Sequence, residues 1–133
     1  RVFDLFRQAG VEPVVLAGDS HTFWVNELKD ASGERRAVEF ATTSITSPSP
    51  MDAVGGQFPL DAALNATNPD VLHCDGKSKG FTVLTFTPEA VTAELWAVST
   101  ITQKPFEASV TRRYRVAREG DRLLFRGDSD SPL

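Results

Sequence analysis

Only two histidines occur in 133 residues, and one of them, His21, closes the tetrapeptide Gly18-Asp19-Ser20-His21 directly after the apolar run Val14-Val15-Leu16-Ala17. Asp19 offers a hard anionic oxygen and His21 a neutral nitrogen. Such a donor pair suits a hydrolytic centre of iron, manganese, zinc or calcium. Gly18 reads as the residue that lets the backbone turn sharply without a side chain crowding an ion. Ligands in layered α/β sheets collect at the carboxyl ends of strands, where this tetrapeptide would stand. Two side chains do not complete a catalytic metal site, which takes about three protein ligands. Taken alone, the tetrapeptide is first a polar turn, and metal ligation is the alternative.

The remaining chemistry-bearing residues are less pointed. His73 and Cys74 lie in VLHCDGKSKG, where alternation with Leu72 suggests a strand and a structural role, with Cys74 a half-buried thiol. Cys74 is the only cysteine, which excludes a disulfide within these residues. Asn26 reads as a strand-face amide, with reach to the site as the alternative, and Trp24 and Trp96 as core or inter-sheet packing.

The elements that must position these groups follow from periodicity. Val2, Leu5, Phe6 and Ala9 recur at helical spacing before Gly10, a helix-stop residue. The uninterrupted run Val14–Ala17 suits a strand covered on both faces, of the kind found in parallel sheets. No later βαβ unit supplies a parallel neighbour, so its partner strands are expected upstream. Phe23–Leu28 and Ala37–Thr42 flank a polar stretch containing Asp30, Ser32 and Gly33, which predicts a hairpin. Residues 43–50 read as an irregular loop and Pro59–Asn65 as a short helix broken at Asn68-Pro69-Asp70. Strands follow at 80–87, 91–99 and 110–116, with Leu123-Leu124-Phe125 after the turn at Glu119-Gly120-Asp121. In the second of these, Val91, Ala93, Leu95 and Ala97 share one face.

A hydrophobic content of 41% with 24% charged residues is that of a globular domain. Net charge −4 at pH 7 and a sequence pI near 5.1 argue against a nucleic-acid partner, which needs a basic surplus to neutralise phosphates. Arg112-Arg113-Tyr114-Arg115 alternates along a strand and reads as a solvated face. No apolar run reaches the roughly 18 residues of a membrane span, and no signal peptide opens the sequence.

In order, VVLAGDSHTFWVNEL, AVEFATTSITSPSP and GFTVLTFTPEAVTAELWAVSTI resemble the carboxy-terminal part of the PhoD-like alkaline phosphatases, within the calcineurin-like metallophosphoesterase superfamily. The resemblance runs to about Leu124. It implies an α+β chain, part of an α/β/β/α sandwich, mostly strands after an initial helix and buried strand. Residues 1–127 would be the carboxy-terminal part of the phosphoesterase domain and 128–133 a tail. Asp19 stands where the superfamily usually has the first histidine of Gly-His-x-His, so the resemblance makes Asp19 and His21 the last metal-site ligands. Iron with calcium is implied, and manganese or zinc remains open. The implied reaction is phosphoester hydrolysis at a multinuclear site whose other ligands precede Arg1. The isolated chain is therefore expected to be inactive and to associate through an exposed sheet edge. The substrate would be a phosphate ester, the partner the missing amino-terminal part of the same domain, and the location periplasmic or extracellular. By analogy, the hydroxyls of residues 43–49 would line the pocket. The competing reading is a non-catalytic β-rich module that binds carbohydrate or protein.

Overall fold

The structure, a computed structural model, describes residues 1–53, 60–120 and 122–128. Helix α1 (Val2–Ala9) ends at Gly10, whose left-handed conformation (φ 64°) lets its amide reach the Arg7 carbonyl at 3.2 Å. Phe3 and Phe6 are the half-buried members of α1, whereas Val2 and Leu5 remain 60% and 57% exposed. The apolar stripe read from the spacing is therefore only partly covered.

Strand β1 (Val14–Ala17) follows, then β2 (Phe23–Lys29) and β3 (Arg35–Ala41). The hairpin between β2 and β3 forms as predicted. Gly33 takes φ 82°, and Asp30 Oδ1 accepts the amides of Ser32 and Glu34 at 2.9 and 3.1 Å. The Ser32 hydroxyl and the Arg36 guanidinium hold the Asp30 carboxyl well below the usual carboxylate range. Helix α2 (Pro50–Ala53) and helix α3 (Leu60–Thr67) lead to β4 (Val71–Asp75), completing a sheet in the order β1-β3-β2-β4. Pro59, expected in the first turn of α3, lies outside the described residues.

Two expectations about β1 are corrected. Its parallel neighbour is within the chain: Val14 to Ala17 pair with Val38 to Ala41 of β3. The connection runs through an antiparallel strand and not through a helix, so a search for βαβ units misses it. Nor is β1 buried on both faces. It is an edge strand, and Leu16 is 58% exposed because no further strand or layer covers it among the described residues.

The second sheet is an antiparallel meander of β5 (Gly80–Phe86), β6 (Ala90–Val98), β7 (Ala108–Glu119) and β8 (Arg122–Asp128). Period-2 alternation turns Val91, Ala93 and Leu95 inward as read from the sequence, with Tyr114 and Val116 beside them. They meet Phe23, Val25, Val38 and Phe40 of the first sheet, forming one inter-sheet core. At about 1.5–3 kcal/mol per fully buried large aliphatic or aromatic side chain, this face is the main source of stability. Gly80 allows the closest approach of β5 to β6: a Cβ there would lie 1.8 Å from the Trp96 carbonyl oxygen.

Both tryptophans fall on outer faces, correcting their assignment to inter-sheet packing. They alternate with the buried Phe23, Val25 and Leu95, and period 2 sends them the other way. Trp96 stacks on Phe81, with ring centroids 5.9 Å apart and planes 7° off parallel. Of the arginine-rich stretch, only Arg115 is exposed. Arg113 pairs with Glu94, its Nε donating to Oε1 at 2.9 Å, while Tyr114 turns into the core.

Candidate metal-ligand turn

Strands β1 and β2 are consecutive in sequence but separated in the sheet by β3. Residues 18–22 must therefore pass over the carboxyl end of β3. The crossing is a tight turn in which the His21 amide donates to the Gly18 carbonyl at 3.1 Å. Ser20 is held twice: its carbonyl accepts the Thr22 hydroxyl at 3.1 Å and its Oγ accepts the Trp24 indole N–H at 3.2 Å.

The conformational cost of this turn falls on His21 and not on Gly18, a correction to the expected role of the glycine. Among the described residues His21 alone of the non-glycines has positive φ, 52°. Gly18 has no such angle, and a Cβ there would meet only a Thr42 methyl at 3.4 Å. A left-handed non-glycine residue costs on the order of 1–3 kcal/mol and persists where its surroundings over-determine it. Here the surroundings are residues 42–49. The Thr42 amide extends the β1–β3 ladder to the Ala17 carbonyl at 3.0 Å, and the Pro48 carbonyl lies 2.7 Å from His21 Nδ1. A carbonyl only accepts, so Nδ1 carries the donated proton and, in the neutral ring, the lone pair is on Nε2.

Asp19 is exposed on the same turn and, with Ser20, opens onto a groove of about 720 Å³ on the outer face of the first sheet. Trp24, Asn26 and Glu39 line that groove, and Asn26 Nδ2 donates to Glu39 Oε2 at 2.6 Å. Asn26 is thus the strand-face amide that its position suggested. The donor set fits two ligands of a metal site: one open carboxylate and one imidazole whose tautomer is set by its partner. Among the described residues, no group of three or more His, Cys, Asp or Glu side chains could hold a metal ion.

The other candidates lie elsewhere. His73, on β4, packs 6.0 Å from the Tyr114 ring. Cys74 is 3% exposed, and so fully buried instead of half-buried. Burial, reinforced by the Asp61 carboxylate at 3.8 Å from its sulfur, pushes its thiol up to about 12. Such a thiol is inert.

Sequence reasoning missed the Pro48 carbonyl, since a backbone oxygen leaves no mark in residue type. It also misjudged two of the loop hydroxyls, whereas Thr46 and Ser47 are exposed. Thr43 and Ser49 are 5% and 4% exposed and face inward: Thr43 Oγ1 lies 2.9 Å from the carbonyls of both His21 and Ser78, and Ser49 Oγ donates to Gly76 O at 2.6 Å. The Ser/Thr/Pro richness was the available signal, and it pointed to a loop that ties other backbone down.

A family model described as PhoD-like phosphatase matches residues 1–95 of this chain. A solved structure described as "Structure of PhoD" superposes with a TM-score of 0.72 at 20% identity, over 97% of this chain and 25% of that one. At that identity the likeness is one of fold, and it includes the meander beyond residue 95. The chain spans about a quarter of the length of the structure it matches. No curated protein matches it.

Proposed function

Because the chain belongs to the PhoD-like phosphatase family, we propose that it is the carboxy-terminal portion of a metal-dependent phosphoester hydrolase and supplies Asp19 and His21 as metal ligands. One observation carries the reading: His21 is held left-handed at a strand end with Nδ1 against a carbonyl, which in that tautomer leaves the Nε2 lone pair unused by this contact. Asp19 contributes a carboxylate in place of a second imidazole, a choice that suits iron with calcium better than softer ions. Metal ions bound there would lower the pKa of a bound water and clamp phosphoryl oxygens. The chain's own part would be to hold the carboxylate, which opens onto the groove, and the imidazole two residues on in one tight turn.

The remaining ligands would come from the amino-terminal part of the same domain, which would also pair with the open edge of β1. Export to the periplasm or exterior goes with this reading. Two consequences are testable. In the full-length parent, His21→Ala should reduce phosphoester turnover with added iron and calcium by about 100-fold or more while the protein stays folded; unchanged turnover would refute the assignment. The 133 residues alone should neither retain stoichiometric metal after dialysis nor hydrolyse p-nitrophenyl phosphate above background, and should self-associate in light scattering through the β1 edge.

A further inference from the structure

We infer that Thr43 is a positioning residue for the metal ligand His21, an inference that rests on the reading of His21 as a ligand. The residues that follow β3 touch His21 at two independent points. Pro48 meets the ring at Nδ1, and the Thr43 hydroxyl meets the backbone carbonyl at 2.9 Å. The second contact falls on the residue whose backbone is left-handed, so it restrains the dihedral angles from which the ring projects.

The hydroxyl does more than cap one carbonyl. It is buried, and the Ser78 carbonyl lies at the same 2.9 Å. The single hydroxyl proton is shared between the two carbonyls, as a three-centre bond or by alternation, and so Thr43 joins the Gly18–His21 turn to the connection between β4 and β5. That connection is itself rigid. Asp75 Oδ1 accepts the amides of Lys77 and Ser78 at 2.9 and 3.0 Å, and Gly76 O accepts the Ser49 hydroxyl. The Gly80 amide closes the circuit by donating to Ser44 O at 3.0 Å. Thr43 is therefore the point at which a fixed backbone frame, built from both sheets, bears on the ligand.

Removal of the hydroxyl would leave two carbonyls facing an apolar group and free the His21 peptide to relax toward negative φ, swinging the imidazole away from its ligand direction. Groups that orient metal ligands without touching the metal typically account for about 10–100-fold in affinity.

The test uses the full-length parent protein, freed of metal, with Co2+ as the probe and its visible absorption as the readout, for wild type, Thr43→Ser, Thr43→Val, Thr43→Ala and His21→Ala. Thr43→Val and Thr43→Ala should weaken Co2+ binding by about 10–100-fold, and Thr43→Ser should stay within about threefold of wild type. Binding by Thr43→Val equal to wild type overturns the inference. So does Thr43→Ser as weak as Thr43→Val, which would assign the effect to the methyl group and not the hydroxyl. Should Thr43→Val fail to fold, the Thr43→Ala and Thr43→Ser pair decides on the same criterion. Unchanged binding by His21→Ala marks a different failure, that of the ligand reading itself, and the inference falls with it.

Discussion

Arg35 bridges two carboxylates at the opposite end of the first sheet from the Gly18–His21 turn. Its side chain is 8% exposed, and its two terminal nitrogens each reach a carboxylate at 3.2 Å: Nη1 to Glu27 Oε1 and Nη2 to Glu12 Oε2. Glu12 is 11% exposed and also accepts the Leu123 amide at 2.7 Å, so the pair ties β8 to the entry of β1. Arg35→Ala would strand Glu12 with that amide and Arg122, whose Nε stands 3.4 Å away on a side chain 57% exposed. Breaking a buried ion pair from one side costs about 3–5 kcal/mol, against about 0–1 kcal/mol for an exposed pair such as Arg122–Glu34. With an m-value of about 2 kcal/mol/M, the urea midpoint of Arg35→Ala should fall by roughly 2 M. The double variant Arg35→Ala/Glu12→Gln should recover much of the loss, since a neutral partner removes the stranded charge. A double-mutant cycle should therefore give a coupling of about 1–3 kcal/mol. The measurement is urea unfolding followed by tryptophan fluorescence and circular dichroism. A cost below about 1 kcal/mol for Arg35→Ala, with no coupling to Glu12, would refute the claim that burial makes this pair matter.

Other expectations follow from the same geometry. Gly80→Ala should destabilise by about 3 kcal/mol or more, because its Cβ would collide with the rigid backbone of β6 at Trp96 and not with a side chain able to move; a midpoint shift corresponding to less than about 1 kcal/mol would show that the strands can part there. Cys74 should resist a thiol reagent at pH 8 in the folded protein and react at once in urea, because its thiol stays protonated up to about 12. Reaction at the unfolded rate under native conditions would contradict the burial. Stability should also decline in acid. Lys79 donates to Asp52 and holds that carboxyl low, while at Asp75 burial pulls upward but the Ser78 hydroxyl and the Ser78 and Lys77 amides outweigh it. Both carboxyls thus contribute stability above the unfolded aspartate value near ~3.9, and lose it as pH falls through their lowered folded values. Asp75→Asn should flatten that acid limb, and an unchanged limb would show that these carboxylates do not drive it.

Local chemistry was legible in the residues themselves. Alternation along Val91–Val98 marks both the strand and its buried face, because a pleated strand has no choice about which side chains share a side. The hairpin over Asp30–Gly33 is equally local, since a short carboxylate capping nearby amides and a glycine at positive φ act within five residues. The same holds for the existence of the polar turn at Gly18–His21, which follows directly on the strand Val14–Ala17. Strand β4, by contrast, shows in the sequence only as alternation around His73, and α2, a single turn, carries no period that marks it.

Tertiary structure alone decided the rest. The parallel partner of β1 is more than twenty residues away and is chosen by the path the chain takes across β3. The tryptophans obey the alternation, but which face meets the other sheet depends on how the two sheets dock. Glu12 finds its partners 23 residues away at Arg35 and more than 100 residues away at positions 122–123, contacts that no short window of sequence contains. The strain at His21 and the carbonyl that sets its ring likewise arise from residues 42–49 folding back over the strand end. Sequence determined that an aspartate and a histidine would stand at the end of β1. Only the backbone arriving from elsewhere decided which way the histidine faces.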